Sequence, residues 1–221
     1  MPDNRLIVKM LGGFSLLYAG KELILDRSSV SKTTQLLQMV LLHQEDGIAK
    51  TSLIDGLYGR EDVENRNGSL NNTLFRLRRQ LKAAGLPESN YINIQKGMCR
   101  WDPGIPVEID CCRFEEKVLA GQREEETEKK MEFYREACGL YAGEFLPDMI
   151  GEDWVTVRNI HYRNLYFSCL EELCGWLKEK EEFEEIYQLT TQACAIYPFE
   201  EWQILRIDSL IAMARYQEAM E

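Results

Sequence analysis

The sequence predicts a mainly α protein with a small N-terminal antiparallel sheet, divided into two parts near residue 110. Three observations predict it. Short runs rich in Leu, Ile and Val, punctuated by glycine, come before any helical period. A helix with a leucine stripe and a basic opposite face is followed at once by a short alternating hairpin. From Cys112 onward helical periodicity is nearly continuous, and the charge balance changes at the same place. A length of 221 residues allows one large domain or two ordinary ones.

Residues 5–11 read as a strand, interrupted by Gly12 and Gly13. Residues 14–18 form a second strand, 19–21 a turn and 22–25 a third strand. The first helix starts at Ser31, a good N-cap, and runs to about His43 with Leu36, Leu37, Val40 and Leu41 on one face. The second opens at Thr51–Ser52, carries Leu53, Ile54 and Leu57, and stops at Gly59.

The third helix begins within 65–69 and ends at Gly85. Leu70, Leu74, Leu77 and Leu81 recur at the period of a buried helical face. At 100° per residue the opposite face carries Asn72, Phe75, Arg76 and Arg79, flanked by Ser69, Asn71, Thr73, Arg78 and Gln80. Arg pairs bidentately with guanine, Asn with adenine, and a side-chain methyl touches thymine, so this face has the chemistry of a major-groove reader. Residues 91–95 then alternate as a strand, Lys96–Gly97 turns, and 98–101 return. Helix, helix, basic helix, hairpin is the order of a winged helix-turn-helix, in which the third helix enters the major groove.

The second half reads as helices over 112–120, 126–141, 152–179, 182–196 and 199–214. Phe183–Glu184–Glu185–Ile186 recurs as Tyr216–Gln217–Glu218–Ala219, 33 residues on, with Pro198 between. That spacing fits tetratricopeptide repeats, whose helix pairs stack because neither buries its apolar face alone. A helix starting at Tyr216 has barely begun when the chain stops. The sequence therefore reads either as part of a longer polypeptide or as ending in a very short final turn.

The chain carries 26 Lys+Arg and 37 Asp+Glu, a net of −11. Through Asp110 the count is 14 against 13, a net of +1; beyond it 12 against 24, a net of −12. The acidic total thus hides a basic stripe at 76–82, and the local stripe governs contact with phosphates. The break marks a domain boundary, giving 1–110 and 111–221. No apolar run approaches the roughly 18 residues that span a bilayer, and residues 1–13 lack a signal-peptide core. Seven cysteines read as free thiols, and a cytoplasmic location is expected.

Chemistry of the enzymatic kind finds no support. No phosphate-cradling glycine loop, nucleophile elbow or paired zinc-ligand spacing occurs. His43 and His161, the two histidines, read as a helix-end residue and a packing or surface residue. No enzyme activity, cofactor, metal or membrane partner is expected.

The segments LGGFSLLYAGKELIL, SKTTQLLQMVLLHQ, TSLIDGLYG and LNNTLFRLRRQLKAAG resemble the winged-helix part of bacterial regulators of the SARP type (Streptomyces antibiotic regulatory proteins). Residues 110–121, the YAGEFLPD turn at 141–148 and the helix from Trp154 to Leu165 resemble that family's bacterial transcriptional activation domain. The resemblance covers essentially the whole chain. It implies binding of double-stranded DNA at direct-repeat promoter sites and recruitment of RNA polymerase, with room for a homodimer. It implies base contacts from Ser69, Asn72, Thr73, Arg76 and Arg79. Ser31, Lys32, Lys50, Thr51, Ser52 and Arg78 fall to the DNA backbone, and Lys96 and Arg100 to the wing. Family wings often return through a Gly-Tyr-Arg-like sequence; here it is Gly97–Met98–Cys99–Arg100. A second reading stays open, in which the chain is a tetratricopeptide-type scaffold whose winged helix serves a protein partner. Total acidity and an outward Phe75 favour that alternative.

Overall fold

The structure, a computed structural model, describes residues 4–25, 30–59, 64–102 and 104–220. Its contacts divide the chain into two compact units. One holds Met1–Cys112 and Leu146–Val155, the other Arg113–Phe145 and Thr156–Glu221.

The first unit opens with a meander of β1 (Leu6–Lys9), β2 (Ser15–Tyr18) and β3 (Lys21–Glu22), paired antiparallel with Leu6 opposite Tyr18 and Leu17 opposite Glu22. Alternation buries Leu6, Val8 and Leu16 on one face. Next comes α1 (Lys32–Leu42). Ser31 Oγ accepts from the Thr34 N–H at its start, His43 ends it, and Leu36, Leu37, Val40 and Leu41 are fully buried. The short β4 (Ile48–Ala49) leads directly into α2 (Lys50–Tyr58), which ends at Gly59. Asn65 caps α3 (Arg66–Ala83) by accepting from the Gly68 N–H. The four leucines of α3 read from the sequence are all buried.

The hairpin of β5 (Ile92–Gln95) and β6 (Met98–Trp101) closes through Lys96 at φ 51° and Gly97 at φ 78°. Two successive left-handed residues match the twist of the flanking strands. β4 adds to this hairpin, Ile48 opposite Cys99, making a three-stranded sheet in the order β4-β6-β5. A last strand, β7 (Val107–Ile109), joins the N-terminal sheet and completes the order β3-β2-β1-β7. It pairs with β1 in parallel, Leu6 opposite Val107 and Val8 opposite Ile109. The sequence predicts an all-antiparallel sheet and neither β4 nor β7; two and three residues are too few to show a period. Beyond β7, the Asp110 carboxylate accepts from the N–H groups of Met10, Leu11 and Cys111 at 2.7–3.0 Å. Leu146 donates its N–H to the Met10 carbonyl at 2.8 Å, and Leu146 and Met149 are buried.

The remaining helices are α4 (Asp110–Arg123), α5 (Thr127–Leu140), α6 (Asp153–Glu179), α7 (Phe183–Ile196) and α8 (Glu200–Ala212). Each boundary lies within about one helical turn of the sequence reading. The second unit packs around aromatic side chains. Tyr141 stacks on Tyr166 with centroids 4.2 Å apart, and its hydroxyl bonds that of Tyr197 at 2.9 Å. Phe114, Phe145 and Tyr162 extend the cluster. Arg135 grips Glu185 with two hydrogen bonds, tying α5 to α7, while its guanidinium lies 5.1 Å from the Trp176 ring of α6. α7 and α8 pack as a tetratricopeptide-like pair joined through Pro198. A 3₁₀ turn covers Glu218–Met220.

Candidate nucleic-acid interface

The candidate surface is built on α3. Its leucine stripe fixes it against α1 and α2. A buried hydrogen bond of 2.8 Å between Tyr58 Oη and Thr73 Oγ1 fixes its rotation. Asn71, Asn72, Phe75, Arg76 and Arg79 are left exposed, with Ser69 half-buried at the near end. The helix holds five basic residues and no Asp or Glu in 18 positions, in a chain that is otherwise acidic. Among the described residues Arg76 and Arg79 have no ion-pair or hydrogen-bond partner, so their donors are available to an external acceptor.

Two expectations are corrected. Thr73, read as a base contact, is 7% exposed and bonds Tyr58, so it is a packing residue. A helical wheel puts it at the edge of the outer face, but Tyr58 reaches round and covers it. Arg78, read as a phosphate contact, turns toward the wing. Its Nε donates to the Asn90 carbonyl at 3.0 Å and its Nη2 to the Ile92 carbonyl at 2.8 Å. It holds β5 against α3.

The flanking residues form a frame. Ser31 is a helix cap, its hydroxyl bonded to the backbone and side chain of Thr34. Lys32 follows it, half-buried, with its ammonium 5.8 Å from the Tyr58 ring. Lys50 begins α2, and its N–H bonds the Gly97 carbonyl at 2.8 Å, which fastens the wing turn to the start of that helix. Thr51 and Ser52 are exposed in the first turn of α2, where no side chain caps the helix. Lys96 and Arg100 are exposed on the wing. Arg100 crosses directly over Gly47: a Cβ there would lie 2.5 Å from its Cγ. Gly47 also has φ +78°, so glycine is needed twice over. An open cleft of about 650 Å³ lies on this side of the wing, lined by residues that include Gln44, Glu45, Gln95, Lys96 and Arg100. Gly47 is not singled out by the sequence, and Asn71 is read there only as flanking the outer face. Gly47 in the run Asp-Gly before a strand was the available signal.

His43 Nδ1 donates to the Met39 carbonyl at 2.8 Å, and His161 Nε2 meets Glu115 at 2.8 Å. Among the described residues no three His, Cys, Asp or Glu are placed to hold a metal ion. Among them, no helix is long and apolar enough to cross a membrane.

A family model, the bacterial transcriptional activator domain, matches residues 109–221, half of the chain. The chain belongs to that family. The activator-domain match covers α4 to α8, the part read from the sequence as an activation domain. The solved structure of Mycobacterium tuberculosis EmbR, in complex with a low-affinity phosphopeptide, is similar with a TM-score of 0.68 and 15% identity. The alignment covers 97% of this chain and 57% of EmbR, so this chain spans little more than half of that one. At that identity the likeness shows the fold: a winged helix-turn-helix and a helical domain. No curated protein matches the chain. Both findings agree with the resemblance to SARP-type regulators, and the chain is a member of a transcriptional activator family.

Proposed function

We propose that this activator-domain protein is a cytoplasmic, sequence-specific DNA-binding regulator. The observation that carries the reading is the acid-free outer face of α3, where Arg76 and Arg79 have no partner among the described residues. Asn72, Arg76 and Arg79 read base edges, with Ser69 at the near end. Lys32, Lys50, Thr51, Ser52, Lys96 and Arg100 contact phosphates. The helical unit serves protein contact, with RNA polymerase as the partner at promoters carrying repeated sites.

The test is fluorescence anisotropy on duplex DNA across salt. Four lysine and arginine contacts to phosphate give a slope near −3.6, a loss of roughly a hundredfold for a fourfold rise in salt. Arg76→Ala loses about 1–3 kcal/mol of base discrimination. Lys32→Ala weakens all sequences alike and lowers the slope by about 1. Unchanged binding in Arg76→Ala and in Arg79→Ala would refute the assignment of α3. No duplex binding at low salt would point to the scaffold reading instead.

A further inference from the structure

Phe75 sits in the middle of the outer face of α3 and is 66% exposed. Its helical neighbours are Asn71 and Asn72 one turn before, Arg76 beside it and Arg79 one turn after. All four are exposed and polar. With Thr73 buried against Tyr58, Phe75 is the one large apolar side chain on that face among the described residues.

We infer that Phe75 reads thymine, by packing its ring against the C5 methyl group in the major groove. The inference rests on the DNA-binding reading above. The charge around the ring selects the occupant. A groove walled by phosphates is drawn to a helix with five cations and no carboxylate, whereas a second α3 facing it carries the same charge and repels it. Within that groove the thymine methyl is the apolar feature that bases present, and phenylalanine is a side chain that meets it. The amides and guanidiniums on either side read the hydrogen-bonding edges of neighbouring purines. The site therefore contains a thymine next to a guanine or adenine, and cytosine at that position binds less well.

The experiment begins with the full chain and a random duplex library, from which bound sequences are enriched. In the best duplex each thymine is replaced singly by deoxyuridine, which removes the methyl and leaves every hydrogen bond. One position should weaken wild-type binding about fourfold, the effect of exposing one buried methyl group. Phe75→Ser should bind the two duplexes equally, and Phe75→Leu should keep part of the difference. At the same position 5-methylcytosine should bind wild type better than cytosine does. Methyl sensitivity that persists in Phe75→Ser, or wild type indifferent to every replacement, overturns the inference while leaving DNA binding intact. Phe75→Ser with unchanged affinity and sequence choice also overturns it, and turns Phe75 toward a protein partner. Failure of the wild-type chain to bind any duplex removes the reading beneath it, and this inference with it.

Discussion

A carboxylate that accepts three backbone N–H groups is an electrostatic compromise at Asp110. Removal from water pushes its carboxyl above the ordinary 3.8, while the N–H groups of Leu11, Met10 and Cys111 pull the other way. With burial the larger effect, the folded state holds the proton more tightly than the unfolded chain. The stability from this group is complete below about pH 3.8 and is lost as pH rises through the raised value. Asp110→Asn should remove that dependence. Its urea midpoint should gain on wild type as the pH is raised from 4 toward 7. Asp110→Ala at neutral pH should lose about 1–3 kcal/mol, because it strands backbone donors. A variant whose midpoint tracks wild type at every pH would show that Asp110 does not titrate in this window. Residue identities made such local roles readable only in part. The cap at Ser31 was legible because capping depends on the residues beside it. The burial of Thr73 was not, because the covering hydroxyl comes from Tyr58, fifteen positions away.

Among the elements, the wing depends on α3 through one side chain. Arg78 joins two carbonyls, those of Asn90 and Ile92, and a lysine offers no planar fork to match them. Arg78→Ala should raise hydrogen exchange in β5 and β6 by about tenfold or more, the equivalent of one charge-assisted hydrogen bond, while leaving the core of α3 protected. Arg78→Lys should restore little of it. Equal exchange in wild type and Arg78→Ala would mean that the wing stands without this brace. Long elements were the legible ones. The leucine period of α3 and the five helices beyond residue 109 declare themselves because one face repeats over several turns. β4 and β7 were hidden because their identity as strands comes from partners far along the chain, Cys99 for one and β1 for the other. The direction of Arg78 was hidden for the same reason.

On the scale of the whole molecule, the thiols report on how tightly each unit packs within itself. Five of the seven cysteines are buried; Cys112 and Cys194 are half-buried. Burial pushes Cys169 and Cys174 up to about 12, so neither is ionised at neutral pH. Native protein treated with a thiol-reactive dye at pH 8 should react at Cys112 and Cys194 at most, and all seven should react after denaturation. Fast native reaction at Cys138 or Cys169 would contradict the packing around Tyr141 and Tyr166. Charge is uneven along the chain, a net of +1 through Asp110 and of −12 beyond it. α3 is the exception, with five basic residues and no carboxylate.

The ten residues Leu146–Val155 return to the first unit from well past its main stretch. Anyone wishing to transplant the winged-helix unit, or to fuse it to another effector, therefore cannot obtain it by a single cut after Asp110. Such an excision strips the Met10 carbonyl of the Leu146 amide and bares the apolar surface that Leu146 and Met149 now shield. The winged-helix unit is stitched from two separate lengths of polypeptide, and an engineer must carry both.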